Sequence, residues 1–201
     1  MSSFPRVRGI VFDMDGTLVE SALDFDAMRR EMNLPAGQPV LEALAAMPED
    51  EARRCCAILD RHERLGAERA FIIPGVPELL AWLNEQGIHQ AVWTRNGREA
   101  ARMTLERLNL RFDQVVTRED GPAKPDPSAI WAICDAWQTE RREVILIGDY
   151  VFDLEAAQRA GIRGVLFTNG AEPQECEGHE LADFALRSFE ETAELRRFMG
   201  F

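Results

Sequence analysis

Val7-Arg8-Gly9-Ile10-Val11-Phe12-Asp13-Met14-Asp15-Gly16-Thr17 is the stretch from which the fold of this chain can be read. It is a short apolar run that ends in an acid. Such a run, bounded by turn residues, predicts a buried strand. Here the C-terminal end of the strand hands over directly to two carboxylates, and Gly16 and Thr17 then open a loop. A buried strand that delivers charge to its carboxyl end is the usual geometry of a ligand crevice in an open α/β sheet.

The pattern changes on either side of that loop. From about residue 20 to 73, Ala, Leu, Met, Arg and Glu dominate, a composition that favours helix. Pro35, Gly37, Pro39 and Pro48 divide the block into about three helices, the longest near residues 49–70. After Pro74-Gly75 the chain alternates. Helices are predicted at 77–86, 98–108, 128–137 and 153–160, and strands at 89–94, 114–117, 144–147 and 164–167. The tail, 183–201, reads as a short strand and a final amphipathic helix. Strands alternating with helices at this spacing predict a parallel sheet covered on both faces. The expected fold class is therefore α/β, a Rossmann-like core made of 1–19 and 74–201, with a small α-helical insertion at 20–73.

Composition narrows the function. The chain has 201 residues, 46% of them hydrophobic and 29% charged, the profile of an ordinary soluble globular protein. Its 23 Lys and Arg against 35 Asp and Glu give a net charge of −12. A surface of this sign repels phosphate backbones, so neither nucleic acid nor an anionic membrane is expected as a partner. A small anionic substrate held by a few local cations is still compatible. No apolar run is long enough to span a membrane. The apolar segment after Arg6 and Arg8 is cut by Asp13 and Asp15, unlike a signal peptide. Cys55, Cys56, Cys134 and Cys176 form no CxxC pair, so neither a zinc site nor a disulfide framework is indicated, and free thiols in a reducing cytoplasm are expected. Trp82, Trp93, Trp131 and Trp137 fall at core-like or helix-packing positions.

The residues just past successive predicted strands are Asp13, Asp15 and Thr17; then Thr94, Arg95 and Asn96; then Lys124; then Asp149 and Asp153. Each has an ordinary explanation on its own. An Asp pair in a loop is commonly a solvated turn, a strand-end Thr is commonly structural, and a Lys between prolines is commonly on the surface. Asp149 and Asp153 could be a helix N-cap and its first turn. What those explanations do not cover is that all four sets fall in register with four strand ends.

Taken together, these residues resemble the haloacid dehalogenase superfamily. Asp13-Met14-Asp15-Gly16-Thr17-Leu18 is similar to its DxDGT(L/V) signature. Thr94-Arg95-Asn96 resembles its second motif, Lys124-Pro125-Asp126-Pro127 its KPxP motif, and Gly148-Asp149-Tyr150-Val151-Phe152-Asp153 its GDxxxD motif. The helical block at 20–73 sits where the C1-type cap of the phosphoglycolate-phosphatase-like branch enters, and it is short. The resemblance implies a Mg²⁺-dependent phosphatase acting on a small phosphorylated metabolite through an aspartyl-phosphate. It implies Asp13 as nucleophile and metal ligand. Asp15 would serve as general acid and base, with its carbonyl on the metal, and Asp149 and Asp153 as further metal ligands. Thr94 and Lys124 would be catalytic groups on the phosphate, with Asn96 and backbone N–H groups near Met14, Asp15 and Arg95 completing the cradle.

The chemistry calls for these residue types. Transfer of a phosphoryl group needs a nucleophile, neutralisation of charge and a proton for the departing alkoxide. A carboxylate approaching a phosphate dianion is repelled unless a cation and a lysine offset the charge. Family dehalogenases lack an acid two residues after the nucleophile, so Asp15 favours phosphate chemistry. Phosphomutases and phosphonate hydrolases on the same core stay open as alternatives, as does a receiver-like phospho-acceptor module. Arg95 either helps to bind a second anionic group or points to solvent. Arg53, Arg54, Arg61, His62 and Arg64 read as a solvated helix face that could instead meet substrate. His89 and His179 are expected to be bystanders. The substrate and the oligomeric state are not readable from the sequence.

Overall fold

In the computed structural model, which describes residues 5–21 and 23–201, the chain starts with β1 (Gly9–Phe12) and β2 (Val19–Glu20). The helices α1 (Phe25–Met32), α2 (Val40–Ala45) and α3 (Glu49–Arg69) follow, then β3 (Phe71–Ile72). The remainder alternates: α4 (Val76–Glu85), β4 (His89–Trp93), α5 (Arg98–Arg107), β5 (Gln114–Val116), α6 (Ser128–Trp137) and β6 (Val144–Gly148). It ends with α7 (Val151–Ala160), β7 (Arg163–Phe167), β8 (Phe184–Leu186) and α8 (Ala193–Phe198). The expected order of strands and helices is present. Residues 1–4 and 22, which fall within the expected ranges 1–19 and 20–73, lie outside the described residues.

Six strands form one parallel sheet in the order β5-β4-β1-β6-β7-β8. β1 is central, and its four residues are all buried. The chain fills the sheet on one side of β1 with β4 and β5 and on the other with β6, β7 and β8, so a crevice opens at the carboxyl end of β1. Both faces are covered, which is why the strands are almost continuously apolar rather than alternating. Ile10 and Phe12 point to one face and pack with Leu79, Leu83, Ala101 and Leu105. Val11 points to the other and packs with Ile130, Ile133, Ala156 and Ala157. Each fully buried Val, Leu, Ile or Phe side chain among them contributes roughly 1.5–3 kcal/mol.

The helices α1, α2 and α3 build a third apolar cluster of their own, with Met28, Met32, Val40, Cys55, Ile58 and Leu59. α1 starts at Asp24, whose carboxylate accepts the Ala27 N–H at 2.7 Å, and ends at Asn33 in the left-handed region. β2 and β3 were not foreseen. They form a two-residue antiparallel ribbon, Val19 opposite Ile72 and Glu20 opposite Phe71, through which the chain leaves for the three helices and returns.

Two smaller expectations are corrected. α7 begins at Val151 rather than Asp153, with Tyr150 as its N-cap, so Asp149 is not the cap; Asp153 instead accepts the Tyr150 N–H at 3.3 Å. Trp93 and Trp137 are buried, but Trp131 is more than a third exposed, with the Arg141 guanidinium over its ring. All four cysteines are free thiols. No helix among the described residues is long and apolar enough to cross a membrane.

Gly75 shows how tightly the last segment locks the sheet. It caps α4 at φ +83°, and a Cβ there would lie 2.3 Å from the Phe189 carbonyl carbon. Gly87 also has positive φ but faces open space. Gly75→Ala is therefore expected to cost well over about 1 kcal/mol and Gly87→Ala less, because only the first adds a backbone clash to the left-handed penalty. Urea denaturation of the two variants checks this, and equal midpoints would contradict it.

Candidate active site

Four strand ends converge on one cavity of about 280 Å³. Asp13 directly follows β1 and its N–H donates to the Ile147 carbonyl at 2.8 Å, which keeps the backbone in the plane of the sheet as it leaves. The loop then turns tightly, with the Met14 carbonyl accepting from Leu18 and Val19. Gly16 makes the turn at φ +80°, and a Cβ there would fall 2.3 Å from Asp149 Oδ2. Glycine is what lets the loop after β1 approach the carboxylate that follows β6. Thr17 closes the contact by donating its hydroxyl to Asp149 Oδ1 at 3.3 Å.

Lys124 is the positive centre. It is 2% exposed, so the surface-lysine reading fails. Its ammonium donates to Asp13 Oδ1 and, at 2.7 Å, to Asp153 Oδ1, and it lies 5.4 Å from the Trp93 ring centroid. Burial works against the charged lysine, but Asp13 and Asp153 outweigh it and raise its pKa. The carboxylates respond in the opposite sense. Burial, reinforced by the charges of Asp153 and Asp149, drives Asp13 well above the ordinary carboxylate value in spite of Lys124. Burial and then Asp153 push Asp149 up to about 7.

Asp13, Asp149 and Asp153 each bring a carboxylate oxygen to within 4.8 Å of the others. Fully ionised, the three acids and Lys124 would carry a net charge of −2. Hard oxygen donors in that number and with that charge suit a divalent cation such as Mg²⁺. The residues present fit the metal.

Asp15 stands apart from that cluster. Its Oδ2 accepts from the Asn96 amide at 2.7 Å, and its Oδ1 is buried without a hydrogen-bond partner among the described residues. Burial raises its pKa, against the opposing hydrogen bonds of Ser21 and Asn96. A buried carboxyl with its pKa raised and one oxygen unpartnered is equipped to give and take a proton. Thr94 is buried at the end of β4. Its oxygen accepts the Asn96 N–H at 3.1 Å, which leaves the hydroxyl proton to donate elsewhere.

The structure thus brings Asp13, Asp15, Thr94, Arg95, Asn96, Lys124, Asp149 and Asp153 to the wall of one cavity. Met14 is buried beneath the loop and has only its backbone to offer. Arg95 does not point freely to solvent. It grips both oxygens of Glu42 at 2.8 and 2.7 Å and donates to the Lys124 carbonyl at 2.8 Å. Arg53 pairs with Glu49, and Arg61 and His62 both pair with Glu31. These residues and Arg54 do not line the cavity.

Sequence reasoning missed Glu63. It is buried, borders the cavity, accepts the Gly97 N–H at 2.9 Å and pairs with Arg118. Burial raises its pKa although Arg118 opposes the rise. A signal was available: Cys55, Ile58, Leu59, Gly66 and Ala67 mark the buried stripe of α3, and Glu63 falls on it. An acid in an apolar stripe needs a buried partner.

A parallel α/β sheet with a helical insertion after its first strand, and a lysine-bridged carboxylate cluster at the crevice, defines a class of hydrolase built on a Rossmann-like core. The model of the haloacid dehalogenase-like hydrolases matches residues 23–167, and the chain belongs to that family. It is 32% identical to a haloacid dehalogenase-like hydrolase domain-containing protein of Arabidopsis thaliana, over 78% of this chain and 69% of the relative. It is 29% identical to a phosphoglycolate phosphatase of Pseudomonas syringae pv. tomato, over 80% of this chain and 69% of that one. The solved structure of a hydrolase from Pseudomonas syringae superposes with a TM-score of 0.77 at 22% identity, covering 93% of this chain and 96% of that one, and so shares the fold.

Asp149 has a measurable consequence. Its pKa is about 7 in the folded protein against an ordinary 3.8, so between those values the folded form holds a proton that the unfolded chain has released. The associated stability is fully present below the unfolded value and is lost as pH rises through about 7. In chelator, Asp149→Asn should gain stability relative to the wild type from pH 5 to pH 8. Thermal melting across that range checks it, and parallel curves for the two proteins would contradict it.

Proposed function

We propose that the protein is a Mg²⁺-dependent cytoplasmic phosphatase that hydrolyses a small phosphomonoester through an aspartyl-phosphate on Asp13. The observation that carries this reading is the placement of Lys124, Asp149 and Asp153 around Asp13, with Asp15 close by but outside the carboxylate cluster. The phosphatase among its relatives supports the same reading.

On this reading Asp13, Asp149, Asp153 and the Asp15 carbonyl hold Mg²⁺. Bound there, the metal supplies charge neutralisation that lets an anionic nucleophile meet an anionic phosphate. The chain's own groups do the rest. Lys124 orients Asp13 and offsets its charge. Thr94, Asn96 and the backbone N–H groups near Met14, Asp15 and Arg95 donate to the phosphoryl oxygens. An Asp13 oxygen attacks phosphorus as the ester oxygen departs, and Asp15 donates the proton that oxygen needs. Asp15, now ionised, takes a proton from water as that water attacks the aspartyl-phosphate, which frees phosphate and restores Asp13. Residues 20–73 act as a cap over the core formed by 1–19 and 74–201.

Asp15 next to Asn96 favours hydrolysis or transfer at phosphate over carbon–halogen cleavage. Among the described residues, the cap side chains that line the cavity do not include a histidine or lysine to assist return of the phosphoryl group to a sugar, which favours the phosphatase over a phosphomutase. The experiment is turnover of 4-nitrophenyl phosphate with Mg²⁺. Asp13→Asn should lose activity by about 10³-fold or more while melting cooperatively, and chelation should abolish turnover in the wild type. Undiminished activity in Asp13→Asn would overturn the mechanism.

A further inference from the structure

We propose that the alcohol released at this site is uncharged and largely apolar, and that Glu42 enforces the choice by occupying Arg95. This rests on the phosphomonoesterase reading above and narrows it to a substrate class.

Besides the carboxylates, the cavity is lined by Leu23, Phe25, Val40, Leu41, Leu59 and Phe152. A leaving group lying in it meets aliphatic and aromatic carbon. Among the described residues, Lys124 and Arg95 are the cations that line the cavity. Lys124 is held by Asp13 and Asp153 on the catalytic floor. Arg95 is taken in both directions: one nitrogen donates to both Glu42 oxygens, another to the Lys124 carbonyl, and the guanidinium lies 4.6 Å from the Phe152 ring centroid.

The remaining polar group on the cap side is equally committed. Glu63 has one oxygen on Arg118 and the other on the Gly97 N–H. A substrate with a carboxylate beside its phosphate would therefore meet the acid Glu63 on the cap side, and Arg95 and Lys124 only as cations already paired. Removing a charge from water without a partner is costly. A sugar would turn hydroxyls toward the apolar wall and lose their hydrogen bonds to water. An apolar tail loses nothing of this kind and gains from leaving water. The volume, about 280 Å³, is at the small end for ligand sites and favours a short tail.

Glu42 controls the charge because it is replaceable. The pair is partly solvent-exposed, with side-chain exposures of 22% for Arg95 and 47% for Glu42, so Glu42→Gln removes one charge without opening the core and leaves Arg95 able to meet an anion. The test compares isosteres: isobutylphosphonate against phosphonoacetate, which differ in a dimethyl versus a carboxylate end, by calorimetry with Mg²⁺. The wild type should bind isobutylphosphonate more tightly by about tenfold or more. Glu42→Gln should narrow that ratio by about tenfold, chiefly by tightening phosphonoacetate. Glu42→Gln combined with Arg95→Gln should widen it again, a reversal that a general loosening of the cap would not produce. Wild-type protein that binds phosphonoacetate as tightly as isobutylphosphonate, or a ratio that does not move in Glu42→Gln, overturns the proposal. Release of phosphate from isobutyl phosphate and phosphoglycolate is measured in parallel. If neither ester is hydrolysed while the phosphonate preference holds, the phosphatase reading fails and the tail preference stands.

Discussion

One buried ammonium holds the site together. Lys124 lies among Asp13, Asp149 and Asp153; the lysine follows β5, Asp13 follows β1 and the other two acids follow β6, and these three segments meet because β1 is central to the sheet. A buried ion pair is a weak source of stability, since desolvating its members offsets most of their attraction. Here three acids face one lysine, so the imbalance is larger than in a simple pair. Burial first, and then the neighbouring carboxylates, raises the pKa values of Asp13 and Asp149. A fold that maintains such an arrangement in its interior does so at a cost to stability, and that cost is met by the apolar packing on both faces of the sheet.

The sequence contained the pattern of this core. Strand ends followed by polar residues in four successive units, separated by helix-length segments, place Asp13, Thr94, Lys124 and Asp149 at one edge of the sheet. Those positions are legible because strand direction and side-chain period are local properties. The ribbon of β2 and β3 was not legible. Two residues per strand carry no period, and their pairing spans the three intervening helices. The partners of Arg95 and Glu63 were hidden for the same reason. Glu42 and Arg118 lie 53 and 55 residues away from them in the chain, and helix faces that meet across such distances are set by tertiary packing. What could be read was the need for a partner, from an acid on the apolar stripe of α3.

The overall charge was informative in one sense and deceptive in another. At −12 the chain is a poor match for polyanions. Yet the acids are not spread evenly: residues 171–201 hold eight acids and three arginines, a net of −5, on a segment away from the cavity. On the proposed reading, the acids around the cavity would hold a cation, and a site so neutralised would accept a phosphate that the bare count would repel.

The joints between the helical segment and the sheet domain extend this logic. The segment has its own apolar cluster, distinct from the two that flank the sheet. It meets the strand-end loops and α5 through charged and polar contacts: Arg95 to Glu42, Arg118 to Glu63 and Asp60, the Gly97 N–H to Glu63, and Arg107 of α5 to the Ala67 and Ala70 carbonyls. Of these, the partly exposed pairs Arg95–Glu42 and Arg118–Asp60 contribute little each, whereas in Arg118–Glu63 the carboxylate is buried. Glu63 ties this network to the chemistry, because the Gly97 N–H it accepts opens α5 immediately after Thr94-Arg95-Asn96. The segment that lines the cavity is thereby joined to the loop that would hold the phosphate by one buried carboxylate, so the position of one constrains the position of the other.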